Sequence, residues 1–535
     1  MPKFTLDGQE IEAPAGTTIL NAALARGKEI PHFCYHPGLS IAGNCRICLV
    51  DVEKAPKPAI ACKTPIAEGM VVTTDTARIK EAQEAVMEFM LLNHPLDCPI
   101  CDQAGECKLQ DQAVEYGTGV SRYTEPKLAL KKAVDIGRHV MLDQERCIHC
   151  SRCVRFCDEI TKTSELAFFK RGEQSSIGIY PGQRLDNPYS GNVVDICPVG
   201  ALTLKEFRFK TRVWYLKNTP TICAGCARGC NVIVATGTQQ VQMTSRGQQD
   251  DRIKRIVPRV NMDVNTYWMC DEGRMSYQRL DAVSRVDGAA APFGTKTDYE
   301  TAVAKAAEAL KTAAGAGRAG LIVSPRMTSE TMFAWNQFLG GLGQACVGVH
   351  RIERGEDDEI LIRRDKGANS RGASWIFGDD TDTAEVIQAA KAGELDVLVV
   401  LGDGLDPEDT PLIPEEAKSK LGQLIYVGSF EDATARQASM VIPAASWAEE
   451  DGTMVTFEGR VQGAARVHVP RGERRPGWRV VADLAQAAGA ELPQWATAAD
   501  VLQSLAASVG PYQGMNEDNI GLLGAMGAAA TPAGA

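Results

Sequence analysis

Apolar and polar residues alternate from residue 3 to residue 13 on either side of Asp7-Gly8, a pair suited to closing a two-residue hairpin, so two strands are expected there. The period then changes. Ile19, Leu20, Ala23 and Leu24 fall on one helical face behind Thr17 and Thr18, either of which can cap a helix, and Gly27 marks its stop. Strand, turn, strand and helix predict a beta-grasp start. Helical periodicity returns over residues 79–92 and ends at His94-Pro95. In the second half, an Ala-rich helix over 301–312, a buried strand over 319–324 and an amphipathic helix over 329–339 precede two further strands, 395–401 and 423–428. Strands alternating with helices predict a parallel, doubly wound sheet. Gly402-Asp403-Gly404 stands at the carboxyl edge where such sheets bind ligands, but it lacks the full G-x-G-x-x-G and is expected to be an ordinary loop. Gly341-Leu342-Gly343 follows a helix instead of a strand and is weaker still. From residue 511 the chain turns to Gly, Ala and Met, and a loosely ordered, flexible tail is expected over 511–535.

Length and charge narrow the class. A chain of 535 residues exceeds what one core serves, so roughly three to five domains are expected. A net charge of -11 argues against a nucleic-acid partner, which calls for a basic stripe. Arg471, Arg474 and Arg475 are interrupted by Glu473 and read as a solvated loop. No apolar run approaches the ~18 residues of a membrane span, and the first ten residues form no apolar signal core. Cysteines two residues apart in such a chain point to metal binding in a reducing compartment, the cytoplasm or an organelle matrix.

The cysteines carry the chemistry. Fifteen of seventeen, together with His94, sort into four successive four-ligand sets. Cys34, Cys45, Cys48 and Cys62 suit a 2Fe-2S centre, with Gly43 letting backbone N–H groups approach sulfur; a four-cysteine zinc site has compatible spacing. His94, Cys98, Cys101 and Cys107 offer one imidazole and three thiolates, because three nearby cysteines need a fourth partner and none is free within reach. Cys147, Cys150 and Cys153 begin the bacterial ferredoxin run, and Cys197, followed by Pro198, completes a 4Fe-4S set; Cys157 has no companions and reads as a buried thiol. Cys223, Cys226, Cys230 and Cys270 form a fourth set, for which a zinc knuckle is the alternative. Cys346 is expected in a Gly-rich turn as a packed thiol.

With the four sets in order, the chain resembles the large iron-sulfur subunits of the peripheral arm of respiratory complex I. The likeness is carried by Gly43-Asn44-Cys45-Arg46-Ile47-Cys48-Leu49-Val50, by His94-Pro95-Leu96-Asp97-Cys98-Pro99-Ile100-Cys101-Asp102 and by Cys147-Ile148-His149-Cys150. It implies one 2Fe-2S and three 4Fe-4S clusters on the four sets, the last present only in some bacterial members and off the main path. The second half resembles a molybdopterin-oxidoreductase scaffold in residues 438–449 and 451–462. Glu272 stands where molybdenum enzymes of that kind carry Lys, and no Cys or Ser is placed for the metal, so no molybdenum is expected.

The expected fold is therefore a multidomain α/β chain. It comprises a beta-grasp 2Fe-2S domain (1–78), a helical His/Cys 4Fe-4S segment (79–118), a ferredoxin-like 4Fe-4S domain (138–212), a 4Fe-4S subdomain (217–273) and a reduced molybdopterin-oxidoreductase-like α/β domain (274–510). The resemblance implies electron transfer from a flavin (FMN) subunit that oxidises NADH, with its small 2Fe-2S partner, toward ferredoxin-like and quinone-reducing subunits. It also implies a peripheral place on the cytoplasmic side of a bacterial inner membrane, and no catalytic residue in this chain. The alternatives are a subunit of an NAD-linked formate dehydrogenase or of a hydrogenase.

Overall fold

Beta-grasp pairing is realised at the start of the chain: strands Lys3–Leu6 and Gln9–Glu12 form the hairpin around Asp7 and Gly8, both with positive φ. Val71–Thr73 pairs parallel with the first strand, and Leu49–Val52 with Ala59–Ile60 completes a five-stranded sheet. Helix Ile19–Leu24 packs Ile19, Leu20, Ala22 and Ala23 into that core, and the Thr18 hydroxyl accepts from Asn21 N–H at 3.3 Å as its cap. The computed structural model describes residues 1–237, 252–280, 284–402 and 410–528.

The chain divides into two compact units, 1–216 and 217–535. In the first, helix Ala77–Leu92 is capped by Thr76 and ends one residue before Asn93-His94-Pro95, as the X-Pro restriction requires. Helix Lys108–Tyr116 begins directly after Cys107. Helix Arg152–Arg155 runs into a π-turn, Phe156–Ile160, that buries Cys157 completely.

The second unit is built on a parallel five-stranded sheet. Its spatial order is Ala345–Val349, Ala319–Val323, Val397–Gly402, Gln423–Gly428 and Met440–Pro443. Helices Tyr299–Gly315, Ser329–Leu342 and Gly477–Ala488 cover one face with a large apolar core that includes Trp335, Phe338 and Leu484. Thr383–Ala392 covers the other face. Gly402 closes its strand with Tyr426 packed against its α-carbon, where a Cβ would lie 2.2 Å from the ring; Asp403 and Gly404 lie outside the described residues.

Three expectations are corrected. Cys346 sits inside strand Ala345–Val349, held there by pairing with Ala319–Val323, and not in a turn. Arg474 is buried, with its guanidinium between Glu449 and Asp287, so the basic cluster is only partly solvated. Of the expected tail, residues 511–528 are packed: Tyr512 and Ile520 are buried, and Ala525–Met526 pairs with Arg460–Ala464; residues 529–535 lie outside the described residues. The packed segment's small residues mask a few large apolar anchors.

Candidate metal centres

The first set is the tightest. Its four thiols are at most 6% exposed, and Cys34 lies in hydrogen-bond reach of Cys45 and Cys62, as Cys48 does of Cys62. Gly43 and Arg46, both with positive φ, curl the loop so that the N–H groups of Asn44 and Cys45 point at Cys34. Contact with Cys45 and then Cys62 holds the Cys34 thiol far below its ordinary range, whereas contact with Cys34 pushes Cys45 and Cys62 up. A metal group held here would take all four as thiolates, because a coordinating thiol gives up its proton outright.

The second set gathers Cys98, Cys101 and Cys107, whose charges act on one another, around the end of helix Ala77–Leu92. Burial pushes Cys101 up and Cys107 to about 11. His94 stands by Asp97 and Arg146, and Arg146 also faces Cys101. Burial first, then Lys127 and Arg146, lowers the imidazole to about 4, so it is neutral near pH 7, as a metal ligand must be. Its Nδ1 is shielded from solvent and has no hydrogen-bond partner among the described residues. Such a buried, unpaired polar atom calls for a partner. Arg146 fixes the loop by donating to Asp97 at 2.8 and 3.1 Å, and Arg212 Nη1 donates to Cys101 O at 2.7 Å.

The third set lies on and around helix Arg152–Arg155. Cys147, Cys150 and Cys197 all act on the buried Cys153, and burial drives Cys153 well above the ordinary thiol range and Cys197 to about 12. His149, with positive φ, donates its N–H to Cys147 Sγ at 3.4 Å.

Side chains that sequence patterns leave silent join these sets. Arg152 donates to Tyr35 O at 2.5 Å and to Ile196 O at 3.1 Å. Arg155 reaches Cys34 O at 2.5 Å, and Asn44 reaches His149 O at 3.2 Å, so the first loop is fastened to the third. On the other side, a Cβ on Gly200 would lie 2.2 Å from Cys101 Sγ, and Lys108 N–H donates to Pro198 O at 3.0 Å. The residues after Cys197 therefore press against the second set. One apolar cluster holds Cys34 and Cys45, Cys107 and Cys150 together, with Cys147 and Cys197 at its margin.

The fourth set belongs to the second unit. Cys223, Cys226, Cys230 and Cys270 are all at most 9% exposed and line one pocket. Gly225 N–H donates to Cys223 Sγ at 3.4 Å, and Gly273 N–H donates to Cys270 Sγ at 3.3 Å. A Cβ on Gly273 would stand 2.8 Å from Cys223 Sγ, so glycine is needed for this approach. Among the described residues no three His, Cys, Asp or Glu side chains converge on a point suited to a single ion. Ligands of a multi-iron core each hold a different corner and so surround a volume instead of a point. The donor types, the orphaned imidazole nitrogen and the glycine cradles fit such a core.

Known families match in the same order. Residues 2–77 match a 2Fe-2S iron-sulfur cluster binding domain, 83–122 the NADH-ubiquinone oxidoreductase-G iron-sulfur binding region and 137–203 the ferredoxin-like domain of NADH-quinone oxidoreductase subunit 3. Residues 216–282 match the molybdopterin oxidoreductase Fe4S4 domain, and 364–487 match molybdopterin oxidoreductase. The G-type subunit of NADH-quinone oxidoreductase from Rickettsia felis is 34% identical over 91% of this chain and 87% of its own. The mitochondrial 78 kDa subunit of NADH-ubiquinone oxidoreductase from Candida albicans is 31% identical over 92% of this chain and 83% of its own. Iron-sulfur protein 1 of mitochondrial NADH dehydrogenase [ubiquinone] from Solanum tuberosum is 47% identical over 51% of this chain and 36% of its own. With that coverage, and with the matched cluster-binding domains in sequence, the chain belongs to the family of the large iron-sulfur, G-type subunits of NADH-quinone oxidoreductase.

Proposed function

We propose that the four sets hold one 2Fe-2S and three 4Fe-4S groups, and that the first three form the route by which this complex I subunit carries electrons from the NADH-oxidising flavin subunit toward the quinone-reducing subunits. The observation that supports the route most directly is the single buried apolar cluster shared by ligands of all three sets. Bound iron-sulfur groups supply reversible one-electron storage. The chain's own residues do the rest: thiolates and His94 hold the groups, backbone N–H groups stabilise negative charge on sulfur, and the apolar walls exclude water.

Arg152, Arg155 and Asn44 fasten the first set to the third, and Pro198 to Gly200 fasten the third to the second. We read from these contacts an order in which the third set lies between the other two. Cys98 is exposed in the second set, and Leu96 and Ile100 beside it are 88% and 61% exposed, an apolar rim suited to a ferredoxin-like partner subunit. None of the described helices is long and apolar enough to cross a membrane. The subunit's place is peripheral, on the cytoplasmic side, held there by the partner subunits that its family implies. The isolated chain is expected to contain iron and acid-labile sulfide and to leave NADH unoxidised; sustained NADH turnover by the chain alone would overturn the assignment.

A further inference from the structure

Residues 352–366 run out and back as an irregular antiparallel arm in the second unit. Arg354 N–H donates to Arg364 O at 2.9 Å, Lys366 N–H to Ile352 O at 2.7 Å and Asp358 N–H to Ile362 O at 3.1 Å. The tip is set by Asp358, whose Oδ1 accepts from the N–H groups of Ile360, Leu361 and Ile362 at 2.9, 2.8 and 2.9 Å. The base is tied to the fourth ligand loop by Ala227 N–H on Asp365 O, 2.9 Å. From this arm Leu361, Ile362 and Lys366 enter the pocket lined by Cys223, Cys226, Cys230 and Cys270. Lys366 is only 4% exposed, and its Nζ lies 2.8 Å from Glu272 Oε2, while Arg354 holds the other carboxylate oxygen.

We propose that the arm is a fixed lid over the fourth set and that the Lys366–Glu272 pair sets the potential at which that set accepts an electron. This rests on the reading of the four cysteines as ligands of an iron-sulfur group. Leu361 and Ile362 displace water from the pocket, which weakens screening and lengthens the reach of any fixed charge. One-electron reduction adds one negative charge at the set. The Lys366 ammonium favours that reduced state, and the Glu272 carboxylate favours the oxidised one. A buried cation also needs a partner, and Glu272 supplies it.

The two charges make opposite predictions, read by redox-poised low-temperature EPR of the assembled complex, with Cys223→Ser identifying the fourth set's signal. Lys366→Met shifts the midpoint of that signal to lower potential, Glu272→Gln shifts it to higher potential, and Lys366→Arg leaves it near the parental value. The signals of the other three sets stay unchanged and report correct assembly. If Lys366→Met removes the signal altogether, the near-isosteric Glu272→Gln still decides the matter. Shifts of the same sign, or none in Glu272→Gln, overturn the proposal while leaving the ligand assignment standing. If Cys223→Ser removes no signal from the parent, the ligand assignment falls, and the role of the pair falls with it.

Discussion

In the second set as proposed, His94 would be the neutral donor beside three thiolates. Burial and the nearby Lys127 and Arg146 keep the ring unprotonated, and its shielded Nδ1 has no hydrogen-bond partner among the described residues. One thiolate fewer removes one negative charge from the bound group, which raises its potential in the way imidazole ligation does in Rieske centres. His94→Cys should therefore lower the midpoint of the second set's EPR signal, and a redox titration of that signal showing no displacement would contradict this. The expectation for His94 came from local spacing: three cysteines within ten residues, Cys98 to Cys107, lacked a fourth. Arg152 and Lys366 were not legible. Their partners, Tyr35 and Glu272, lie 117 and 94 residues away in the chain, and nothing in a basic side chain's immediate neighbours signals a distant carbonyl or carboxylate.

Elements whose signals are local appear close to where the pattern puts them. The strand at Gln423–Gly428 agrees residue for residue, and the helix expected at 301–312 runs over Tyr299–Gly315 because Asp298 caps it with its side chain on Thr301 N–H. Elements defined by distant pairing escaped. Cys346 becomes part of a strand only through the register Gly320 to Cys346, and residues 512–528 are held by anchors that reach Arg460–Ala464 and the large apolar core. The turn after Cys197 packs directly on the second set, since Gly200 has room for no more than hydrogen beside Cys101 Sγ. Gly200→Ala is expected to destabilise the chain by roughly 1–3 kcal/mol through overpacking, and to distort the second set's EPR signal while leaving that of the first set intact. Unchanged thermal unfolding together with an unchanged second-set signal would count against the packing described here.

Across the whole molecule the ligand sets are divided between the two compact units, three in residues 1–216 and the fourth in 217–535. In the first unit the apolar cluster shared by the three sets is itself built partly of their cysteines, so those cysteines also contribute to its packing. The second unit has a large core around a parallel sheet and carries its set at the start, under the arm of residues 352–366. The molybdopterin-oxidoreductase families match from residue 216 onward, in the second unit. The central claim is that all four sets hold iron-sulfur groups. Low-temperature EPR of the dithionite-reduced complex, combined with iron analysis, tests it most directly: one Cys→Ser variant is made in each set, at Cys45, Cys101, Cys150 and Cys223. The account predicts about fourteen iron atoms in the isolated chain and, among the signals of the complex, four that belong to this chain, each lost in one variant only. Zinc in place of iron, or a variant set whose loss removes no signal, would contradict it.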